Sequence, residues 1–266
     1  MYILLHKFYL NNNDSTIIMK LREKIQLTLQ EELEPLGFRY YKSLKTFKRS
    51  VDKNIIVGMY YDADCFHHGF TDITLYLFGE YRDLENVLNK LQDMTFAHYG
   101  RVVCRLQWLL PEGEMANLDL SFQDSDSEET YNRKLRKLIC QMKTYALPYL
   151  ERLSHKDSAI EEAIALDRRD LFFIEGVVPV MYCVWKHDKK AALDYLEEKR
   201  QVLLERVEPW EWERLERFKN GERFGGMKQI KNGVEYGVNN PLNACAYDDF
   251  MGFVSRFNEW LETQNL

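Results

Sequence analysis

The sequence lacks most of the patterns by which an activity is recognised. Its five cysteines include no CxxC pair, which argues against a zinc site and is typical of single core thiols in a reducing compartment. The patterns GxGxxG, GxxxxGKS/T and GxSxG are absent, which removes the usual signals of dinucleotide binding, P-loops and serine hydrolases. The longest apolar run, residues 171–185, contains Glu175 and Pro179 and falls short of the roughly 20 apolar residues of a membrane span. We therefore predict no catalytic residue and no cofactor.

Composition and charge are typical of a folded, acidic protein. A chain of 266 residues is long enough for one or two domains. Hydrophobic residues make up 45% of it and aromatic residues 14%, which supplies a sizeable core. The net charge of −6 argues against a general nucleic-acid binder, although it leaves room for a local basic patch. We predict a cytoplasmic protein with neither nucleic-acid nor membrane partners.

The first half of the chain has the pattern of an α+β domain. An apolar stripe at helical spacing ends at Pro35 and Gly37, and a second stripe spans residues 84–94. Alternating residues predict strands at 44–51, 54–62 and 73–78, and a hairpin from 102–110 and 118–122. These segments predict an antiparallel sheet of about four to five strands with packed helices.

The second half is predicted to be mainly helical. The period changes from two to 3.6 residues near residue 126, where a helix over 127–153 begins, and Pro148 should kink or end that helix. Helices follow at 158–167, 171–186, 188–207, 209–219 and 242–261, and the glycine-rich residues 220–241 indicate a surface loop or hairpin. We expect an N-terminal extension over 1–18, a sheet domain over 19–155 and a helical region over 156–266, either separate or continuous with the sheet domain.

One segment has a recognisable resemblance. Leu33-Glu34-Pro35-Leu36-Gly37-Phe38 ends a helix, and the strand residues Thr46-Phe47-Lys48-Arg49, Ile55-Ile56-Val57 and 73–78 follow. This order resembles the family catalogued as domain of unknown function 4304, over residues 19–155. The resemblance implies a small α+β domain with a helical tail, and a bacterial setting in which some members lie in toxin–immunity loci. No catalytic residues are implied, because none is defined for that family.

The densest group of metal-ligand types lies between two predicted strands. Asp62, Asp64, His67 and His68 combine carboxylate and imidazole groups, which suit zinc or a redox metal. Adjacent histidines on an extended chain point to opposite sides, so His67 and His68 cannot easily bind one ion. Polar residues are also common in any loop between strands, and this alternative is favoured.

Two groups of residues are candidates for contact with a protein partner. Trp210 and Trp212 have the residue type most enriched at interface hot spots, although tryptophan also fills cores in helix pairs. Asp124 and Asp126 belong to an acidic stretch at a predicted helix start, where negative charge also stabilises the helix itself.

Three hypotheses of function remain open. The first is a non-enzymatic protein-binding module, of the toxin-neutralising type that the resemblance implies, with an acidic surface that attracts a basic partner. The second is an enzyme with an unrecognised, metal-dependent site in a cleft between the sheet and helical halves. The third is self-association through the C-terminal helix that carries Phe250, Phe253 and Phe257. The absence of motifs weighs against an enzyme without deciding the matter.

Overall fold

The computed structural model describes residues 12–67, 70–91, 101–112, 121–123, 125–168, 177–222, 226–230, 233–237 and 241–264. The chain forms two compact units. The first consists of Met1–Arg82 and Gly100–Leu171, and the second of Asp83–Tyr99 and Phe172–Leu266. Within the expected extension over 1–18, residues 1–11 lie outside the described part, and helix α1 begins at Asn12.

The first unit contains an antiparallel sheet, as predicted. Its strands are β1 (Arg39–Tyr41), β2 (Thr46–Ser50), β3 (Ile55–His67), β4 (Phe70–Tyr81), β5 (Arg101–Arg105) and β6 (Ser121–Gln123). They lie in the order β1-β2-β3-β4-β5, and β6 also pairs with β4. The described sheet thus has six strands and confirms the α+β fold class.

Local chemistry explains the connections at the start of this unit. Helix α1 (Asn12–Leu33) ends in a 3-10 turn, Glu34–Leu36, where Gly37 adopts a left-handed φ of 83° that favours glycine. Between β2 and β3, the Asp52 carboxylate accepts hydrogen bonds from the N–H groups of Asn54 and Ile55, both at 2.7 Å. A short aspartate side chain that bonds to the backbone two and three residues on closes the tight turn.

The described residues contradict the predicted hairpin of 102–110 with 118–122, of which residues 118–120 lie outside the described part. Strand β5 ends at Arg105, a 3-10 turn follows at Leu106–Leu109, and β5 pairs with residues 76–80 of β4. Strand β6 pairs with residues 70–72 of the same strand, β4, rather than with β5. The two short strands therefore lie one after the other along the same edge of β4. Together they occupy one strand position in the sheet, which is interrupted between them.

Helices cover one face of the sheet. They are α3 (Glu128–Gln141), a π turn (Met142–Ala146), α4 (Leu147–Leu153) and α5 (Lys156–Arg168). The Tyr81 hydroxyl donates to the Leu153 carbonyl at 3.0 Å, and Arg49 donates to Glu151 at 2.8 Å. The chain continues as a helix through Pro148, because the wider turn before it accommodates a residue that cannot donate a backbone hydrogen bond.

The second unit is mainly helical in its described part. It contains all but the first residue of α2 (Arg82–Leu91), together with α6 (Val177–Met181) and its π turn (Tyr182–Lys186), α7 (Lys189–Glu205), α8 (Pro209–Lys219) and α9 (Leu242–Glu262). Strands β7 (Gly226–Ile230) and β8 (Gly233–Gly237) form the hairpin predicted as one alternative for residues 220–241. Helix α9 packs against α7 and α8. No helix in the described ranges is both long and apolar enough to cross a membrane.

Helix α9 supplies core residues to its own unit. Phe250 and Phe253 are each 2% exposed, and Phe257 is fully buried. Since these rings are already buried, the structure does not support self-association through them.

Candidate functional site

The predicted metal ligands lie at one end of the β3–β4 pair. The register places Asp62 opposite Thr74 and Asp64 opposite Asp72. Directly opposite residues share a face of an antiparallel sheet, so Asp72 joins the two predicted carboxylates at this end. His67 is opposite Phe70 beyond an irregularity in the register, and His68 lies outside the described residues.

This end of the sheet does not form a described metal centre. Among the residues whose side chains are described, no group of three or more His, Cys, Asp or Glu could coordinate an ion. The sequence pattern did not predict Asp72, because strand pairing, rather than closeness in the chain, brings it opposite Asp64. Asp62 and Asp72 are both exposed and lie on the same face of the sheet, so this end of the face is acidic.

The four cysteines whose side chains are described give no sign of a nucleophile. Cys104 and Cys183 are buried, as expected for core thiols, whereas Cys140 is exposed and departs from that expectation. Burial raises the pKa of the Cys183 thiol to about 11, so the thiol is protonated at neutral pH. The helical turn that contains Cys183 ends at His187, which has a left-handed φ of 52°.

The acidic stretch before α3 serves the helix start and its attachment to the sheet. The Asp126 carboxylate accepts from the Gln123 N–H at 2.9 Å and from Lys134 at 2.8 Å. Burial alone would raise the pKa of Asp126, but these hydrogen bonds and the Lys134 charge lower it below its usual value. Asp126 is thus engaged within its own unit, and Asp124 lies outside the described residues.

Trp210 and Trp212 are at the surface of the second unit. Their exposed fractions are 36% and 40%, large values for a side chain that is usually mostly buried. The Arg214 guanidinium lies over the Trp210 ring, 5.1 Å from its centroid. Trp212 meets Tyr247 of α9 edge to face, with ring centroids 5.5 Å apart. Both side chains project from the first turn of α8.

A buried carboxylate fixes the position of that turn. Glu211, between the two tryptophans, is 1% exposed. It accepts from the Glu208 N–H at 3.0 Å, from the Asn243 N–H at 2.9 Å and from the Asn243 side-chain amide at 3.1 Å. The starts of α8 and α9 are therefore joined at one residue. Leu242, 55% exposed, lies beside this junction because it directly precedes Asn243.

Sequence reasoning found the tryptophans but missed what positions them. The pattern Glu208-Pro209-Trp210-Glu211 is a recognisable helix start in which the third helical residue can bond back to the residue before the helix. Asn243 has no comparable signal, because it lies 32 residues further along the chain.

Comparison of the chain with protein-family models, with curated proteins and with solved structures finds no match. The resemblance to domain of unknown function 4304 stays a prediction, and no relative assigns a role to any residue. The candidate site consequently rests on the geometry of this chain alone.

Proposed function

We propose that this protein acts by binding another protein through Trp210, Trp212 and Leu242, which together we call the tryptophan surface. The observation that carries the proposal is the exposure of two tryptophans at a rigid junction of two helix starts. Tryptophan is the residue most enriched among interface hot spots, and clustered exposed apolar groups mark interaction surfaces.

The arrangement of the tryptophan surface suits tight recognition. Residues two apart on a helix do not face each other, so Trp210 and Trp212 lie on either side of the buried Glu211. A partner would therefore contact both flanks of the first turn of α8. Because Glu211 and Asn243 already order this turn, binding costs little further conformational entropy.

A partner of the toxin type is the more specific form of the proposal. It rests on the resemblance of residues 19–155 and on the net charge of −6, which favours association with a basic protein. Glu208 and Glu213, both exposed, flank the tryptophan surface and would face such a partner. Asp126 is left out of this surface, because Lys134 already binds it.

The test compares two double variants of the full chain. Trp210→Ala/Trp212→Ala removes the tryptophan surface, and Leu36→Ala/Leu44→Ala removes matched exposed apolar side chains from the first unit. Each protein is immobilised, partners are captured from cells of the source organism, and the affinity of the identified partner is then measured with purified components.

We expect one stoichiometric partner on the wild type and the control, with an affinity reduced at least about 100-fold in the tryptophan variant. Thermal unfolding of both variants verifies that each is folded. Equal affinity in the wild type and the tryptophan variant, or the absence of any partner, would refute the proposal.

A further inference from the structure

We call the second face of the sheet, opposite α3 and α4, the open face; its side chains range from the exposed Asp62 and Asp72 at one end to Phe78, which is 2% exposed. Because directly opposite residues share a face, the register assigns positions to it row by row. One row contains Arg39, Lys48, Gly58, Phe78 and Val103. The next row, one pair of residues further along the strands, contains Tyr41, Thr46, Tyr60, Tyr76 and Arg105.

Stacked rings and cations order the middle of the open face. Tyr60 and Tyr76 stack with centroids 4.7 Å apart, and the Arg105 guanidinium lies 5.3 Å from the Tyr76 ring. The Phe78 ring covers Gly58, where an added Cβ would come within 2.5 Å of it. Since the tyrosine rings already contact each other and Arg105, the stacking of nucleic-acid bases on this face is disfavoured.

Charge is divided between the two ends of the open face. The end near Phe78, the basic end, contains Glu80 and three cations: Arg39, Lys48 and Arg101. The other end, the acidic end, contains Asp62 and Asp72. Formal charges are therefore +2 at one end and −2 at the other. The two ends lie roughly 20 Å apart along β4, at about 3.3 Å a residue.

We propose that the open face binds the open face of a second copy of this chain. A two-fold axis that lies between two facing sheets, parallel to them and perpendicular to their strands, places the basic end of each copy on the acidic end of the other. A surface with opposite charges at its two ends is thus complementary to itself, which is the condition for a symmetric dimer. This charge pattern is the reason for proposing a second copy as the partner, and the inference does not depend on the tryptophan surface.

The size of the open face sets the expected strength. About four strands spaced ~4.8 Å, over nearly ten residues of β4, give a footprint on the order of 600 Å². Stable interfaces bury about 800 Å² on each partner, so the dimer should be weak, with a dissociation constant in the micromolar range. The attraction between the two copies should weaken strongly with salt, since the Debye length shortens to about 3 Å at 1 M ionic strength.

The experiment exchanges the charges of the two ends in the full chain. The basic-end variant is Arg39→Glu/Arg101→Glu, and the acidic-end variant is Asp62→Lys/Asp72→Lys. Arg133→Glu/Arg136→Glu, on the exposed side of α3, is the charge-matched control. Sedimentation velocity measures the dimer dissociation constant of each protein, and of the two end variants mixed, at low and high salt.

We expect the wild type and the control to form a dimer at low salt. In each end variant alone, the dimer should be at least about tenfold weaker than in the wild type. Mixing the two end variants should restore association, because one copy then has two acidic ends and the other two basic ends. If a charge reversal prevents folding, as judged by circular dichroism, Arg39→Gln/Arg101→Gln and Asp62→Asn/Asp72→Asn replace it and should each weaken the dimer.

Three results would overturn the proposal. They are a wild type that stays monomeric at low salt and about 100 μM, a dimer that the end variants do not weaken, and a mixture of reversed variants that stays monomeric. A monomer that instead binds a labelled single-stranded oligonucleotide, with loss of binding in the basic-end variant, would assign the open face to nucleic acid.

Discussion

Each unit buries a charged side chain almost completely, and the two charges are compensated differently. In the first unit Lys134, 7% exposed, lies between the Asp126 carboxylate at 2.8 Å and the Ser121 carbonyl at 2.7 Å. In the second unit Glu211, 1% exposed, accepts hydrogen bonds from three uncharged N–H groups, none of them on a cation. One unit thus uses a counter-ion, and the other uses the starts of two helices.

The two units connect distant parts of the chain in correspondingly different ways. The Lys134 contact links α3 to the edge strand β6, so an ion pair fastens a helix to a sheet. The Glu211 contact links two helix starts, where unsatisfied N–H groups and the helix dipoles favour negative charge without a cation. The stability lost on removing the Lys134 ion pair should depend on pH. Removal of the Glu211 carboxylate should leave backbone N–H donors unpaired.

The largest effect is expected at Glu211. Glu211→Ala should lower the free energy of unfolding of the second unit by about 3 kcal/mol, because buried donors of Asn243 and Glu208 lose their acceptor. Urea unfolding followed by tryptophan fluorescence measures it, since four of the five tryptophans lie in the second unit.

Exposed Glu213, two residues away, supplies the control. Glu213→Ala should change stability by less than about 0.5 kcal/mol. Equal losses in the Glu211 and Glu213 variants would show that the buried carboxylate does not join the helix starts.

Replacing one glycine by alanine in each unit should change stability in opposite directions. In Gly58→Ala the new Cβ would lie 2.4 Å from the Phe47 carbonyl oxygen, so we expect the first unit to lose about 2 kcal/mol. In Gly252→Ala, within α9, the nearest atom is 3.5 Å away, and the higher helix propensity of alanine should add about 0.5–1 kcal/mol.

Thermal unfolding followed by circular dichroism measures both glycine variants. The two melting temperatures should move in opposite directions. A stabilised Gly58→Ala protein would contradict the close approach of β2 and Phe78 to that glycine.

Among Glu211, Gly58 and Asp126, the smallest loss of stability is expected at Asp126, and it depends on pH. Its pKa is lowered in the folded protein, so its contribution is fully present above the unfolded value near 3.9 and is lost as pH falls toward the folded value. At pH 7, Asp126→Asn should cost about 1 kcal/mol. The gap between the wild type and the variant, measured by urea unfolding from pH 7 to pH 3, should close as the pH falls. A gap that is constant with pH would contradict the ion pair with Lys134.

Sequence patterns predicted most elements but few of the contacts between them. The stripe of α1, the turn at Asp52 and the alternation of β4 were readable because each depends on neighbouring residues. The position of β6 was not readable, because a strand of three residues pairs equally well by pattern with β5 or β4. Among the site residues, the tryptophans were predicted, whereas Asn243 and Asp72 were not.

The placement of α2 also required tertiary information. This helix lies between β4 and β5 in the chain, yet Asp83–Tyr99 belongs to the second unit. The Trp185 indole N–H donates to the Asp83 carboxylate at 2.9 Å, across 102 positions of sequence. A helical stripe states that one face is buried, but it does not state against which partner.

The positions of most helices and strands follow from local sequence, because side-chain periodicity, turn residues and helix-start chemistry act over a few residues. Which side chains meet depends on a second step, the assembly of the tertiary structure, because strand register and helix packing join positions far apart in the chain. The buried Glu211 beside exposed tryptophans, and the opposite charges at the two ends of the open face, are products of that second step. They define the surfaces through which we propose that the protein acts.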